Sequence, residues 1–272
     1  MYVNTREMLL DAQKRRYSVI AAGAWSLDSA KTLVQTAMQN RMPLILMTWE
    51  KLPQGMLEPE LAAGLVKELA SRTEIPIALH LDHSTSLDMV ARCIHAGYSS
   101  VMIDASTLPF ADNVKVTKEV VGLAHACNVS VEAELGHVGN DSVAGDQGVM
   151  TCPEEAAAFV EQTQVDCLAV SIGTVHGVYA GEPHLDFERL RAIRHATDTP
   201  LVLHGGSGTG ILALQQAAAC GICKLNVMTD FQLASNQAAA SNEKFIEPRM
   251  QQAVAKLLQE YLQALSKPWP GR

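Results

Sequence analysis

Three histidines and an aspartate stand where side chains could do chemistry. His83 follows Asp82 in the run His80-Leu81-Asp82-His83-Ser84, His176 precedes Gly177, and His204 opens His204-Gly205-Gly206-Ser207-Gly208-Thr209-Gly210. Each lies at or beyond the end of a short apolar run that reads as a buried strand, ahead of a segment that reads as a helix. Three neutral imidazoles with an open coordination position are the ligand set of a catalytic zinc site. One histidine alone is more often a satisfied structural residue; three at strand ends, of nine in the chain, is a stronger signal. Asp104 and Glu134 end two further apolar runs and could hold a second cation or orient the histidines. The plainer alternative is that they cap and solvate a polar rim. In an extended strand His80 and Asp82 share one side, with Leu81 and His83 on the other. His80 is therefore expected inside the fold, supporting the site.

The glycines from Gly205 to Gly210 precede a helix, and Asn226-Val227-Met228-Thr229 opens another. Glycine lets backbone N–H groups approach an anion, and a helix N-terminus adds a favourable field. Ordinary tight turns use glycine too, but at these two strand ends phosphate is the better reading. Glu132 shares a strand side with Glu134 and could pair with Lys224 in the interior.

These residues must be positioned by alternating elements. Strands are expected at 17–22, 43–48, 76–81, 99–103, 129–134, 167–172, 200–203 and 222–227. Helices are expected at 28–39, 58–71, 86–96, 112–126, 153–162, 186–196 and 211–219, followed by helix to about residue 264. Eight such units without a composition break predict a single (β/α)₈ barrel domain over residues 1–272 with a C-terminal helical extension. A doubly wound open sheet is the competitor, but the Gly-rich first turn it needs is absent. Two connections, 135–152 and 173–184, exceed the ~2–6 residues usual for βα loops and leave the catalytic face.

Hydrophobic residues make up 48% of the 272 and aromatics 5%, which suits helices packed on parallel strands. A net charge of -8 with no basic run argues against nucleic acid as a partner. No apolar run approaches the ~20 residues needed to span a bilayer, and residues 1–16 lack the core of an export signal. The six cysteines are read as reduced, in a cytoplasmic protein. Cys220-Gly-Ile-Cys223 is read as two core residues, since no second pair lies near it.

Taken together, LHLDHS at 79–84, MIDAS at 102–106, VEAELGHVG at 131–139, LAVSIGTVHGVY at 168–179, LVLHGGSG at 201–208 and KLNVMTD at 224–230 resemble the class II, metal-dependent ketose-bisphosphate aldolases. The branch most resembled is tagatose-bisphosphate aldolase. The resemblance runs from about residue 6 to 235 and implies a carbon–carbon lyase of carbohydrate metabolism. It implies that His83, His176 and His204 ligate Zn2+, with Asp104 and Glu134 at an alternative or second metal position. It implies that Asp82 exchanges the proton on the oxygen at the bond cleaved. Gly177, Gly205, Gly206, Ser207, Asn226, Val227, Met228 and Thr229 would hold dihydroxyacetone phosphate. A monovalent cation (Na+ or K+) near the phosphate loops, a phosphorylated sugar as substrate, and a homodimer or homotetramer are further implications. An acid from the loop after the fifth strand, Asp141 or Asp146, would move the carbon-bound proton. The chain departs from the family at Ala21-Ala22-Gly23 and at Met47-Thr48-Trp49-Glu50, so the aldehyde half of the substrate is expected to differ. A Schiff-base aldolase would need Lys224 as its nucleophile. A non-catalytic regulatory or assembly subunit would be expected to lose the metal ligands, which are present.

Overall fold

The computed structural model describes residues 1–50, 57–140, 146, 148–179, 181–240 and 246–270. Its strands are β1 (Val19–Gly23), β2 (Leu44–Trp49), β3 (Ile77–Ser84), β4 (Ser100–Ile103), β5 (Ser130–Leu135), β6 (Cys167–Val170), β7 (Leu201–Leu203) and β8 (Ile222–Val227). All pair in parallel with their chain neighbours, and β1 also pairs with β8, which closes the sheet into a barrel. Closure excludes the open doubly wound alternative. The helices are α1 (Arg6–Arg15), α2 (Leu27–Asn40), α3 (Pro59–Ser71), α4 (Leu87–Ala96), α5 (Phe110–Ala126), α6 (Pro153–Thr163), α7 (Phe187–Ala196), α8 (Ile211–Ala219), α9 (Thr229–Ala239) and α10 (Ile246–Leu265).

Local chemistry sets several of these boundaries. The Ser86 side chain accepts from the Met89 amide at 3.2 Å and caps α4, so Ser84 stays in β3. Gly97 ends α4 at φ 99°, a left-handed conformation in which a Cβ costs energy. Prolines open α3 and α6, where a missing N–H costs nothing. All six cysteines are free, and Cys220 ends α8 while Cys223 lies in β8.

Strand alternation sorts the core into two clusters. Ile20, Leu44, Leu46, Leu79, Leu81, Val101 and Val131 face outward and pack under the helices. Val19, Ala21, Ile45, Met47, Ala78, Cys167, Ala169 and Val202 belong to an interior cluster that also contains Met8, Leu9 and Ala12 of α1. That helix therefore stoppers the amino end of the barrel. Towards the carboxyl ends the interior turns polar, with His80, Glu132, Glu134, His204 and Lys224 fully buried. The C-terminal extension lies on its own barrel: Val254, Leu258, Tyr261 and Leu262 of α10 are buried, and α10 contacts α2, α8 and α9.

Candidate active site

A cavity of about 410 Å³ opens at the carboxyl ends of the strands. Asp82, His83, Asp104, His176, Gly177, Gly205, Gly206, Ser207, Asn226, Val227, Met228 and Thr229 all line it, so the structure brings most of the sequence candidates together. Glu134 is fully buried beneath it.

His83 arrives by a route that simple alternation misses. Plain extension would put it beside Leu81, against the helices. Instead its φ is +45°, and the β3–β4 register shifts between Leu81 and Ser84. A left-handed residue in a strand is strained, and here it swings the imidazole to the cavity. Its Nδ1 lies 2.7 Å from Asp104 Oδ2, which leaves Nε2 facing His204 Nδ1 at 2.6 Å. His204 is anchored through its other nitrogen, 2.8 Å from Glu132 Oε1. His176 is fixed through its backbone: its amide donates to the Gly139 carbonyl at 2.8 Å, and it forms a bridge with Asn140. The two long loops are thus stitched together at a candidate ligand.

Ring nitrogens of His83, His176 and His204 lie within 4.8 Å of one another, and His176 Nε2 is buried with no hydrogen-bond partner. Tetrahedral Zn–N bonds of ~2.0–2.1 Å would hold nitrogens roughly 3.3 Å apart, so small ring rotations suffice. The donor set fits a divalent metal. His83, Asp104 and Glu134 form a second overlapping group, in which Glu134 Oε2 also lacks a partner.

The electrostatics agree. Burial opposes a charged His83, but Asp82, the bonded Asp104 and Glu134 push its pKa up to about 10. Burial pulls His176 down to about 3, and His83 and His204 add to that. Burial would raise Asp82, yet His83, His204 and Lys224 lower it on balance, so it is a carboxylate at neutral pH. Such a cluster of carboxylates favours any cation placed among them.

Under the histidines runs a buried circuit. Lys224 Nζ lies 2.8 Å from Glu132 Oε2 and 2.8 Å from Asn226 Oδ1. With its oxygen held by the ammonium, Asn226 turns its Nδ2 to Asp82 Oδ1 at 3.0 Å. The anticipated Glu132–Lys224 pair is therefore present. The Asn226 side chain points at Asp82, and its backbone carbonyl accepts from the Gly206 amide at 3.1 Å. His80 is fully buried, with Nδ1 2.8 Å from Ser100 Oγ and Nε2 3.8 Å from both Asp82 and Glu132.

The glycine loop is shaped for close approach. A Cβ on Gly205, at φ 67°, would stand 2.3 Å from the Val175 carbonyl oxygen. Tyr179 Oη donates to the Gly205 carbonyl at 2.9 Å, tying the loop after β6 to this turn. Two amides where α9 begins, those of Met228 and Asp230, each donate to Ser207 Oγ at 3.2 Å. The hydroxyl thus holds the two loops together.

His137, inside the VEAELGHVG motif, is a residue to which the sequence pattern alone assigns no role. It lines the cavity, with Nε2 3.0 Å from Asp146 Oδ1 and Nδ1 3.2 Å from Ser106 Oγ. Its spacing of three from Glu134 was the available signal. Asp146 lines the cavity as well, while Asp141 lies outside the described residues.

The sequence of residues 3–268 matches the family model described as "Fructose-bisphosphate aldolase class-II". Among solved structures, the chain is similar to the YdjI aldolase from Escherichia coli K12 at 29% identity and a TM-score of 0.90, with 100% of each chain covered. It shares its fold with the fructose-bisphosphate aldolase of Campylobacter jejuni, at 20% identity and a TM-score of 0.76, over 97% of this chain and 95% of that one.

Proposed function

Because the chain belongs to the class II fructose-bisphosphate aldolase family, whose members use a divalent metal, we propose that it is a zinc-dependent aldolase. In this reading it reversibly cleaves a ketose 1-phosphate or 1,6-bisphosphate to dihydroxyacetone phosphate and an aldehyde. The observation that carries the proposal is the convergence of His83, His176 and His204 beside an ionised Asp82. The resemblance of its motifs to the tagatose-bisphosphate branch supports a ketose phosphorylated at C1.

His83, His176 and His204 would hold the zinc, which supplies Lewis-acid polarisation of the ketose oxygens. Asp82 accepts the C4 hydroxyl proton as the C3–C4 bond breaks and returns it in the condensation direction. Asn226 fixes the carboxylate that does this. Gly177, Gly205, Gly206, Ser207, Val227, Met228 and Thr229, which line the mouth around the ends of β7 and β8, surround the phosphate, with a monovalent cation close by. Asp104 orients His83, and Asp104 and Glu134 offer the alternative metal position. Asp146, held on His137, is the described acid for the carbon-bound proton. The Lys224 ammonium is buried against Glu132 and Asn226, which weighs against a Schiff-base nucleophile.

A single phosphate suits the site better than two. Among the described residues lining the cavity no lysine or arginine appears, and His137 sits between Glu134 and Asp146. From its membership of the aldolase family we further propose that the protein is cytoplasmic and a homodimer or homotetramer. The test is to incubate zinc-loaded protein with a panel of ketose 1-phosphates and bisphosphates and to assay dihydroxyacetone phosphate with a coupled dehydrogenase. Release that a chelator abolishes and zinc restores is expected. Failure of every substrate in the panel overturns the reading.

A further inference from the structure

The part of the mouth formed by β1 and β2 takes no part in the circuit described above, and it is built around one aromatic ring. Trp49 stands in register with Asp82 on the neighbouring strand. Residues in register on adjacent strands face the same side, and both side chains line the cavity. The indole reaches across to β1, where Gly23 makes room for it. A Cβ on Gly23 would stand 2.2 Å from Trp49 Cη2 and 2.9 Å from Met228 Cβ. Gly23 is not among the positive-φ glycines, so its backbone does not need glycine; the ring beside it does. Trp49 is only partly buried and keeps a surface towards the cavity. Met47 and Met228 extend the wall with polarisable thioethers.

We propose that Trp49, seated in the notch left by Gly23, is the platform for the aldehyde half of the substrate. Its ligand is an uncharged polyhydroxy aldehyde of several carbons, which lays its C–H face on the indole. This rests on the aldolase reading, because Asp82 marks where the aldehyde oxygen forms. The carbons beyond that oxygen then run along the neighbouring strand, over the ring. An aromatic face carries partial negative charge and favours C–H groups over a phosphate. The nearby Asp82 carboxylate disfavours an anion further.

The experiment runs the condensation from dihydroxyacetone phosphate with glycolaldehyde, with an unphosphorylated tetrose and with glyceraldehyde 3-phosphate. The readout is the ratio of kcat/KM for the tetrose to that for glycolaldehyde. The wild type should prefer the tetrose over both other aldehydes. Trp49→Ala should lower the tetrose-to-glycolaldehyde ratio by roughly tenfold, the scale of one aromatic contact, while Trp49→Phe retains most of it. Gly23→Ala, which displaces the ring, should lower the ratio as Trp49→Ala does. The double variant Gly23→Ala/Trp49→Ala should fall little further. A binding readout free of turnover uses chelated protein: the preference for hexitol 1-phosphate over glycerol 3-phosphate should shrink in Trp49→Ala. A wild type that prefers glyceraldehyde 3-phosphate, or ratios that hold in both Trp49→Ala and Gly23→Ala, would overturn the platform. If Trp49→Ala does not fold, Trp49→Phe and Gly23→Ala decide. Dihydroxyacetone phosphate release by the wild type tests the reaction itself, so the subsite can fail while the aldolase reading stands.

Discussion

Along β3, β4, β5, β7 and β8 the mouth is a hydrogen-bonded circuit: Asp104 holds His83, Glu132 holds His204 and Lys224, and Lys224 sets the Asn226 amide that meets Asp82. Along β1 and β2 it is a packed wall of Met47 and Trp49, with Gly23 as the gap into which the ring fits. The first side depends on the direction and ionisation of particular atoms, so a one-atom change is costly there. The second depends on volume, which several side chains can supply. Reaction and substrate choice are thus assigned to separate strands, and one can vary without the other.

The sharpest way to break that division is Asp82→Ala. Turnover should fall by about 10²–10⁴-fold, the usual contribution of a positioned acid–base, while zinc per chain by metal analysis is retained. Loss of zinc together with turnover would mean that Asp82 belongs to the metal's support. Next is Lys224→Met, which strands Glu132 as a fully buried charge. Stability by denaturant unfolding should drop by about 3–5 kcal/mol, and Lys224→Met/Glu132→Gln should recover part of it. On the wall, Met47→Leu should cost less than about 1.5 kcal/mol, as volume-conserving swaps do. A larger loss would show that the wall is as specific as the circuit.

The smallest effect belongs to His137. Glu134, 3.7 Å away, is the main cause that pushes its pKa up to about 9; burial opposes the shift and Asp146 adds to it. A histidine raised above its unfolded value of ~6.5 stabilises the fold fully below that pH. Its contribution is lost as pH rises through about 9. Melting temperature should therefore decline modestly over that interval, and His137→Gln should flatten the decline. An identical slope in both proteins would remove His137 as its source.

The eight-unit alternation was legible because most strands are short apolar runs and several helices carry local boundary signals, as α4 does at Ser86 and Gly97. The three histidines could be placed because they stand at or beyond the carboxyl ends of strands, which a barrel gathers at one mouth. What pattern could not give was direction. Alternation assigns His83 to the wrong side, since nothing in the residue type signals a positive φ. Asn226 lies in a motif that suggests phosphate, yet its side chain is claimed by a lysine two residues earlier. The Gly23–Trp49 fit joins residues on different strands, so each reads as a separate anomaly until the barrel closes.

The short approach of His83 Nε2 to His204 Nδ1 has a consequence for how the enzyme is loaded. Two imidazole lone pairs 2.6 Å apart require something positive between them. With the His83 pKa near 10, a proton serves at neutral pH when no metal does. Metal uptake is then an exchange that expels a proton. Acidification works against occupancy, and an unbuffered protein solution titrated with zinc at pH 8 should turn acidic in proportion to the sites filled.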